Sequence, residues 1–179
     1  MSRAERRIEK QRELKREAGI FATLTGALGM ILIIGVLLVM IPMFAPRIMG
    51  FGTYEVVSGS MEPEIPIGSL VLVREADPGN IAEGEVIAFL KPGDESLVIT
   101  HRVVQNDKEN EQFITKGDAN EVQDNAPVPY KNLVGRVEHH FPKVGGIIAG
   151  LSSFDGKLLL MCILSAGVLL NYLSGRLRR

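Results

Sequence analysis

The sequence predicts an all-β domain flanked by two transmembrane α-helices, and three observations support this fold class. A long uncharged stretch lies near the N-terminus, a second one lies near the C-terminus, and short β-type runs separated by turn residues fill the region between them. The two apolar stretches leave roughly 110 residues for that middle region, which is the size of one ordinary domain. The 179-residue chain is therefore expected to form one small β domain with membrane anchors.

The first apolar stretch runs from residue 18 to residue 46 without a charged side chain. About 20 apolar residues in a helix are enough to cross a bilayer. A cleaved signal peptide is the alternative, but the stretch is too long for one, and Pro46 makes a poor cleavage junction. We therefore predict an uncleaved transmembrane helix over residues 20–45. Residues 1–19 carry acidic and basic side chains at helical spacing and are expected to form a solvated, basic cytoplasmic segment.

The second apolar stretch covers residues 158–175, whose 18 uncharged residues are close to the shortest length that spans a bilayer. A buried terminal helix of the β domain is the alternative. A basic tail over residues 176–179 follows directly, so we predict a transmembrane helix over residues 157–175 and a cytoplasmic tail after it. Cys162, the only cysteine, lies in this stretch, and no intrachain disulfide can form.

The distribution of charge predicts how the chain is oriented in the cell membrane. Residues 3–16 hold seven Arg or Lys, whereas residues 45–157 hold 17 acidic against 10 basic side chains. The positive-inside rule therefore places both termini in the cytoplasm and residues 46–156 on the extracytoplasmic side. Because an acidic region repels phosphate, nucleic acid is not an expected partner.

Residues 46–156 are predicted to form the β domain, because they contain short runs rich in β-branched residues and show no sustained helical period. Turn residues separate the runs: Lys-Pro-Gly-Asp at 91–94 is typical of a tight turn, and residues 106–110 suit a hairpin loop. The predicted strands are residues 54–57, 69–73, 85–90, 97–104, 112–116 and 133–137.

Ser60 is the candidate nucleophile. It lies in the sequence Ser-Gly-Ser-Met-Glu-Pro at 58–63, directly after the first predicted strand. Pro63 and Pro66 oppose regular strand pairing beyond it, so we expect Ser60 on a constrained loop. Ser-Gly-Ser is also common in ordinary turns. A serine hydroxyl becomes an effective nucleophile at neutral pH only with a base within hydrogen-bond reach.

His101 is the candidate general base among the three histidines. Two-residue alternation over residues 97–104 places it on the same, more apolar face as Ile99. A histidine there is often only a packed core residue, but apolar surroundings favour the neutral imidazole that a general base requires. His139 and His140 are interpreted as surface or interfacial residues. No ligand cluster with zinc-like spacing accompanies the histidines, so neither a metal site nor a cofactor is predicted.

An imidazole base also needs an acid that orients it, and the segment from residue 116 to residue 124 offers several carboxylates. Asp118 follows Lys-Gly in a tight turn, where its carboxylate can accept hydrogen bonds from the backbone of its own turn. Asp124 stands before Asn-Ala-Pro, where the chain is less regular and the side chain can turn toward the imidazole. Both acids are also compatible with an ordinary role in a turn.

The order of these motifs resembles type I signal peptidases of the archaeal and endoplasmic-reticulum type, in peptidase family S26. A membrane anchor precedes the Ser-Gly-Ser-Met motif, and Thr-His-Arg-Val at 100–103 and Lys-Gly-Asp-Ala-Asn at 116–120 follow it. The resemblance implies that Ser60 is the nucleophile and His101 the base; the familiar bacterial enzymes have a lysine there instead. It also implies an acid at Asp118 or Asp124. Because endoplasmic-reticulum members favour the second position, we assign Asp124 to His101 and Asp118 to holding the loop.

The resemblance further implies a membrane-bound serine endopeptidase that cleaves signal peptides after small residues and needs no cofactor. The Ser60 N–H and the Ser58 hydroxyl are the implied oxyanion donors. The substrate would lie extended along the strands that contain Val57 and Ile99. The expected partners are the signal peptides of secretory pre-proteins and the lipid bilayer, with the protein-export translocon as a further candidate.

Two alternatives to this function remain open at the level of the sequence. The first is a non-enzymatic, membrane-tethered β domain that binds extended peptides in the secretion machinery. The second is a related serine protease that acts on another membrane-proximal chain. In each of these membrane-bound cases, the apolar residues Ile48, Met49 and Phe51, which lie at the start of the predicted β domain, are expected in the membrane interface.

Overall fold

The computed structural model describes residues 3–177 and divides into two compact units. One unit is helical and contains residues 3–42 and 153–177 of the described chain, and the other contains residues 43–152. The elements, in chain order, are α1 (Arg3–Ile48), β1 (Phe51–Glu55), β2 (Leu70–Arg74), β3 (Val86–Lys91), β4 (Asp94–Asp107), β5 (Gln112–Lys116), β6 (Val128–Pro129), β7 (Leu133–Phe141), α2 (Gly145–Ser152) and α3 (Phe154–Leu177).

Two helices, α1 and α3, are long and apolar enough to cross a membrane, with mean hydropathies of 2.8 and 1.9 over their most apolar windows. Both predicted spanning segments therefore lie in helices. The charged segment at residues 3–19 and the apolar stretch after it form one continuous helix of 46 residues. Of the predicted basic tail, Arg178 and Arg179 lie outside the described residues.

Small residues allow α1 and α3 to pack closely within the helical unit. A Cβ atom on Gly29 of α1 would lie only 2.7 Å from the carbonyl oxygen of Gly167 on α3. The hydroxyl of Ser174 on α3 donates a hydrogen bond of 2.6 Å to the carbonyl oxygen of Ala22 on α1. Close backbone approach with a polar contact between helices is typical of helix pairs inside bilayers.

The second unit is built on one seven-stranded sheet, in the order β1-β2-β7-β3-β4-β5-β6, and neighbouring strands within the described residues pair antiparallel. The prediction of a β domain is confirmed in this sense. Each of the six predicted strands overlaps an observed one, although β1 begins at Phe51 and not at residue 54. The tight turn at 91–94 and the hairpin loop after β4 also form as expected.

The label all-β is only approximate, because α2 was not predicted. This helix has eight residues, which is too short to show a helical period in the sequence. Strand β6 was also missed, since it has two residues and one of them is Pro129.

The expectation that Phe51 lies in the membrane interface was wrong. Phe51 is buried and packs with Leu70 and Leu72, whereas Ile48 and Met49 are exposed.

Candidate active site

Ser60 lies on a loop that is fixed to the sheet at both ends. The loop joins β1 to β2, and two hydrogen bonds close it, from the Val56 N–H to the Ser69 carbonyl (2.9 Å) and from the Gly68 N–H to the Val56 carbonyl (2.7 Å). Met61, the residue after Ser60, is 1% exposed and packs in the core. Burial of such a side chain contributes about 1.5–3 kcal/mol, so the loop holds Ser60 in a defined position.

His101 lies in β4 opposite Ile87 of β3. The residue is 7% exposed, and its ring meets the ring of Phe89 edge-on, with 6.2 Å between the centroids. Its Nδ1 atom lies 2.6 Å from Oδ2 of Asp124. Because an ionised carboxylate only accepts, Nδ1 is the donor, and Nε2 of the neutral ring is left as an acceptor.

Asp124 reaches His101 from the loop between β5 and β6. Its backbone N–H donates a hydrogen bond of 2.9 Å to the carbonyl oxygen of Thr115, which fixes this part of the loop against β5. The two side chains that the sequence analysis assigned to each other are therefore in contact. The catalytic role of Asp124 stays a prediction.

Gly117 fills the space between the Ser60 loop and His101. A Cβ atom on Gly117 would lie 2.6 Å from the carbonyl oxygen of Ser60 and 3.0 Å from Nε2 of His101. Two residues later, Ala119 donates its N–H to the same Ser60 carbonyl across 2.9 Å. The Lys-Gly-Asp turn therefore packs against both the candidate nucleophile and the candidate base, and a side chain at Gly117 would push them apart.

Asp118 pairs with Arg102, not with the backbone of its own turn as the sequence suggested. Its two carboxylate oxygens accept hydrogen bonds from Nε (2.8 Å) and Nη2 (2.6 Å) of Arg102, and this pairing raises the pKa of the guanidinium despite its partial burial. Nη1 of Arg102 donates to the Gly84 carbonyl at 2.7 Å. The contact arises because Arg102 stands opposite Lys116 in the sheet, and Lys116 lies two residues before Asp118 in the chain.

A cleft of about 490 Å³ contains Ser60 and His101. One wall comes from β1, which is an edge strand of the sheet. The opposite wall comes from the first half of β4, which pairs with β5 only from Arg102 onward. Within the described residues, both walls therefore present backbone N–H and C=O groups that pair with no neighbouring strand, and such edges can take up an added strand.

The remaining predicted site residues also line this cleft, namely Ser58, Val57 and Ile99. The Ser58 hydroxyl oxygen lies 3.4 Å from the Ser60 hydroxyl oxygen. Within residues 3–177, the backbone N–H of Ser60 has no hydrogen-bond acceptor. Among the described residues, a hydroxyl and an N–H without an acceptor thus lie beside the candidate nucleophile.

His139 and His140 lie in β7 and line a different, polar cavity of about 660 Å³. Arg136 and Glu138 belong to the same cavity and pair with each other at 3.3 Å. In the part of the chain that the structure describes, no group of three His, Cys, Asp or Glu is arranged to hold a metal ion.

No role was predicted from the sequence for Arg102, Thr115, Gly117 or Asn120. Arg102 and Gly117 make the contacts described above, and Asn120 lines the cleft. Arg102, Gly117 and Asn120 lie inside the Thr-His-Arg-Val and Lys-Gly-Asp-Ala-Asn motifs, and membership in these motifs was the sequence signal that could have indicated a role. Their contacts depend on how distant segments meet, which no local pattern shows.

Comparisons with known proteins show which family the chain resembles. The family model described as "Signal peptidase, peptidase S26" matches residues 27–114, a range that includes Ser60 and His101. Signal peptidase I W of Bacillus subtilis is 42% identical over 91 residues, which cover 49% of this chain and 47% of that protein. The chain thus spans about half the length of that relative.

Two further relatives are catalytic subunits of signal peptidase complexes. Subunit SEC11C of Homo sapiens is 33% identical over 127 residues, covering 65% of this chain and 66% of that protein. Subunit SEC11 of Zygosaccharomyces rouxii is 30% identical over 129 residues, covering 65% of this chain and 75% of that protein. With this extent of similarity, the chain belongs to the signal peptidase family, peptidase S26.

Proposed function

We propose that this protein is a membrane-bound serine endopeptidase that cleaves N-terminal signal peptides from exported pre-proteins after small residues. Membership in a peptidase family and two apolar helices support a peptidase associated with the membrane. One observation carries the catalytic assignment: the buried His101 is hydrogen-bonded to Asp124 and shares a cleft with Ser60. A hydroxyl nucleophile needs a base nearby, and the base needs an acid that orients it; the shared cleft and the His101–Asp124 hydrogen bond support these roles.

In the proposed mechanism, Nε2 of His101 takes the proton of the Ser60 hydroxyl as its oxygen attacks the substrate carbonyl carbon. The bond to the leaving amine breaks when His101 returns that proton to the amine nitrogen, which leaves an acyl-enzyme on Ser60. A water molecule then hydrolyses the ester with His101 again as base. Asp124 holds the ring so that Nε2 stays the acceptor, and it stabilises the imidazolium formed in each half-reaction.

The tetrahedral intermediates carry a negative oxygen that needs donors already in place. The Ser60 N–H, which has no acceptor within residues 3–177, and the neighbouring Ser58 hydroxyl are the proposed donors. Loss of one such donor typically lowers the rate by about 10²–10³-fold. Ser58 can be tested alone, because its hydroxyl is not needed for the attack itself.

The two open strand edges support an extended substrate between them. A signal peptide would add as a strand beside β1 and the first half of β4, with main-chain hydrogen bonds to both. Val57 and Ile99 would then lie next to the residues around the scissile bond. The apolar side chains of the cleft, such as Val56 and Met61, suit small apolar residues in the substrate.

The proposal places the β domain on the extracytoplasmic side and both termini in the cytoplasm. Exposed Ile48 and Met49, at the end of α1, support a position at the membrane interface. The names of the SEC11 relatives describe subunits of a complex. Because of this likeness, we propose that the protein also contacts the protein-export machinery, including the translocon.

A cleavage assay with a defined product tests this function. Detergent-solubilised protein is incubated with a purified pre-protein, and the new N-terminus is sequenced. We expect one new N-terminus directly after the small residue that ends the signal peptide, and no cleavage by a Ser60→Ala variant. Binding of the pre-protein without cleavage would favour a non-enzymatic peptide-binding domain, and cleavage elsewhere would favour a protease with another substrate.

A further inference from the structure

Oδ2 of Asp124 accepts two hydrogen bonds of the same length. One comes from Nδ1 of His101 at 2.6 Å, and the other comes from the hydroxyl of Thr115, also at 2.6 Å. The backbone carbonyl of Thr115 accepts the Asp124 N–H at 2.9 Å. Thr115 therefore binds both the carboxylate and the main chain of the residue that holds His101.

The sheet determines where the Thr115 hydroxyl points. Thr115 in β5 stands opposite Val103 in β4, and Val103 is two residues after His101, so the three side chains lie on one face. Thr115 is fully buried. A buried hydroxyl needs a hydrogen-bond partner, and the Asp124 carboxylate provides it. The position of the Thr115 hydroxyl is thus set by strand register.

We propose that Thr115 is a positioning residue for the reaction, a role that rests on the proposed function above. Its hydroxyl holds the Asp124 carboxylate in the orientation that binds Nδ1 of His101. This matters because the Asp124 side chain is 24% exposed, so water competes for the carboxylate, and because Asp124 is carried by a loop. A buried donor on a β-strand fixes the orientation of the Asp124 carboxylate before the substrate binds.

Thr115→Val is the direct test, because valine keeps the shape of threonine and removes the hydroxyl. A hydrogen bond to a charged group is strong enough that we expect kcat for pre-protein cleavage to fall by about 10- to 100-fold. KM should stay the same, since Thr115 is not among the residues that line the cleft. Thr115→Ser keeps the donor and should restore most of kcat.

Tyr130→Phe is the control for loss of a hydroxyl of the β domain outside the site. The Tyr130 hydroxyl donates to Oδ1 of Asn106, and neither residue is among those that line the cleft. We expect Tyr130→Phe to lower the melting temperature, with kcat unchanged. If Thr115→Val retained wild-type kcat, or if Thr115→Ser were as slow as Thr115→Val, the positioning role would be wrong.

A double variant separates this role from general destabilisation. If Thr115 acts through Asp124, then adding Thr115→Val to Asp124→Asn should lower kcat no further than Asp124→Asn alone. If the double variant instead showed the product of the two separate reductions in kcat, the proposal would be overturned. A slow Asp124→Asn with a normal Thr115→Val would overturn only the role of Thr115. A wild-type rate for Asp124→Asn would overturn the proposed triad and the positioning role together.

Discussion

The backbone N–H of Ala119 donates a hydrogen bond to the carbonyl oxygen of Ser60 across 2.9 Å. This contact joins the loop after β1 to the turn after β5, and Gly117 of the same turn lies against Nε2 of His101. Three segments that are distant in the sequence therefore meet within a few ångströms. Substitutions at this junction are expected to change turnover more than the free energy of unfolding.

Ser60→Ala and His101→Ala should each lower the rate of pre-protein cleavage by about 10⁴-fold or more, because removing either member disables the pair. Both proteins should remain folded, as judged by circular dichroism and thermal unfolding in detergent. His139→Ala is the matched control, since His139 is exposed and lies outside the cleft. Processing at the wild-type rate by either of the first two variants would contradict the assignment.

His101→Lys should not restore activity, although the familiar bacterial enzymes use a lysine base. A lysine acts as a base only when its surroundings keep it neutral. Asp124, which contacts residue 101 here, would instead favour the charged ammonium. We expect a rate close to that of His101→Ala over pH 6 to about 9. A rate that rises to near wild type within that range would show that the pocket tolerates either base.

Asp124→Asn and Asp118→Asn should separate catalysis from loop stability. Asp124→Asn should keep the fold and lower turnover by about 10⁴-fold, as the amide favours the wrong tautomer of the imidazole. Asp118→Asn weakens the pairing with Arg102, which is partly exposed, so the expected loss of stability is only about 1 kcal/mol. Turnover of Asp118→Asn should fall only to the extent that loss of this pairing displaces the loop that carries Asp118.

Melting temperature and initial rate are measured together for this pair. If Asp118→Asn alone abolished cleavage at an unchanged melting temperature, the two acids would have the opposite roles. Arg102→Gln offers a check on the partner, because it disrupts the same pairing and also the hydrogen bond to the Gly84 carbonyl, so it should lower the melting temperature at least as much as Asp118→Asn does.

Gly117→Ala should impair turnover with little effect elsewhere. The added methyl group would lie 2.6 Å from the Ser60 carbonyl oxygen, so the turn must shift away from the nucleophile. A displacement of about 1 Å in an active site can cost about 10²-fold in rate. Gly79→Ala is the control, since its Cβ would meet its nearest neighbour at an ordinary 3.5 Å. Equal rates for the two variants would show that the turn can adjust freely.

Most of the sheet could be predicted because its signals are local. The strand over residues 97–104 shows alternation, and turn residues bound it on both sides. Segments without such signals were missed: α2 is shorter than the window in which a helical period can be read, and β6 has two residues.

The candidate site divides in the same way. Ser60 and His101 were visible because each sits in a short motif, and their order along the chain carried the family resemblance. The partner of Asp118 could not be read locally, because it depends on the register that puts Arg102 opposite Lys116. From turn chemistry alone, the backbone of its own turn was the expected hydrogen-bond partner of Asp118. The close approach at Gly117 likewise exists only after the β1–β2 loop has folded onto the turn.

The proposed topology can be tested with single cysteines and a maleimide that does not cross membranes. Cys162 is the only native cysteine and is replaced by alanine first. Lys108 lies in the exposed turn between β4 and β5, so Lys108→Cys should be labelled on intact cells. Lys10→Cys in α1 and Arg176→Cys in α3 should be labelled only after permeabilisation, because basic flanks keep both ends in the cytoplasm. Labelling of Arg176→Cys on intact cells would show that α3 does not span the membrane. The catalytic assignment would survive that result, since no proposed catalytic residue belongs to α3.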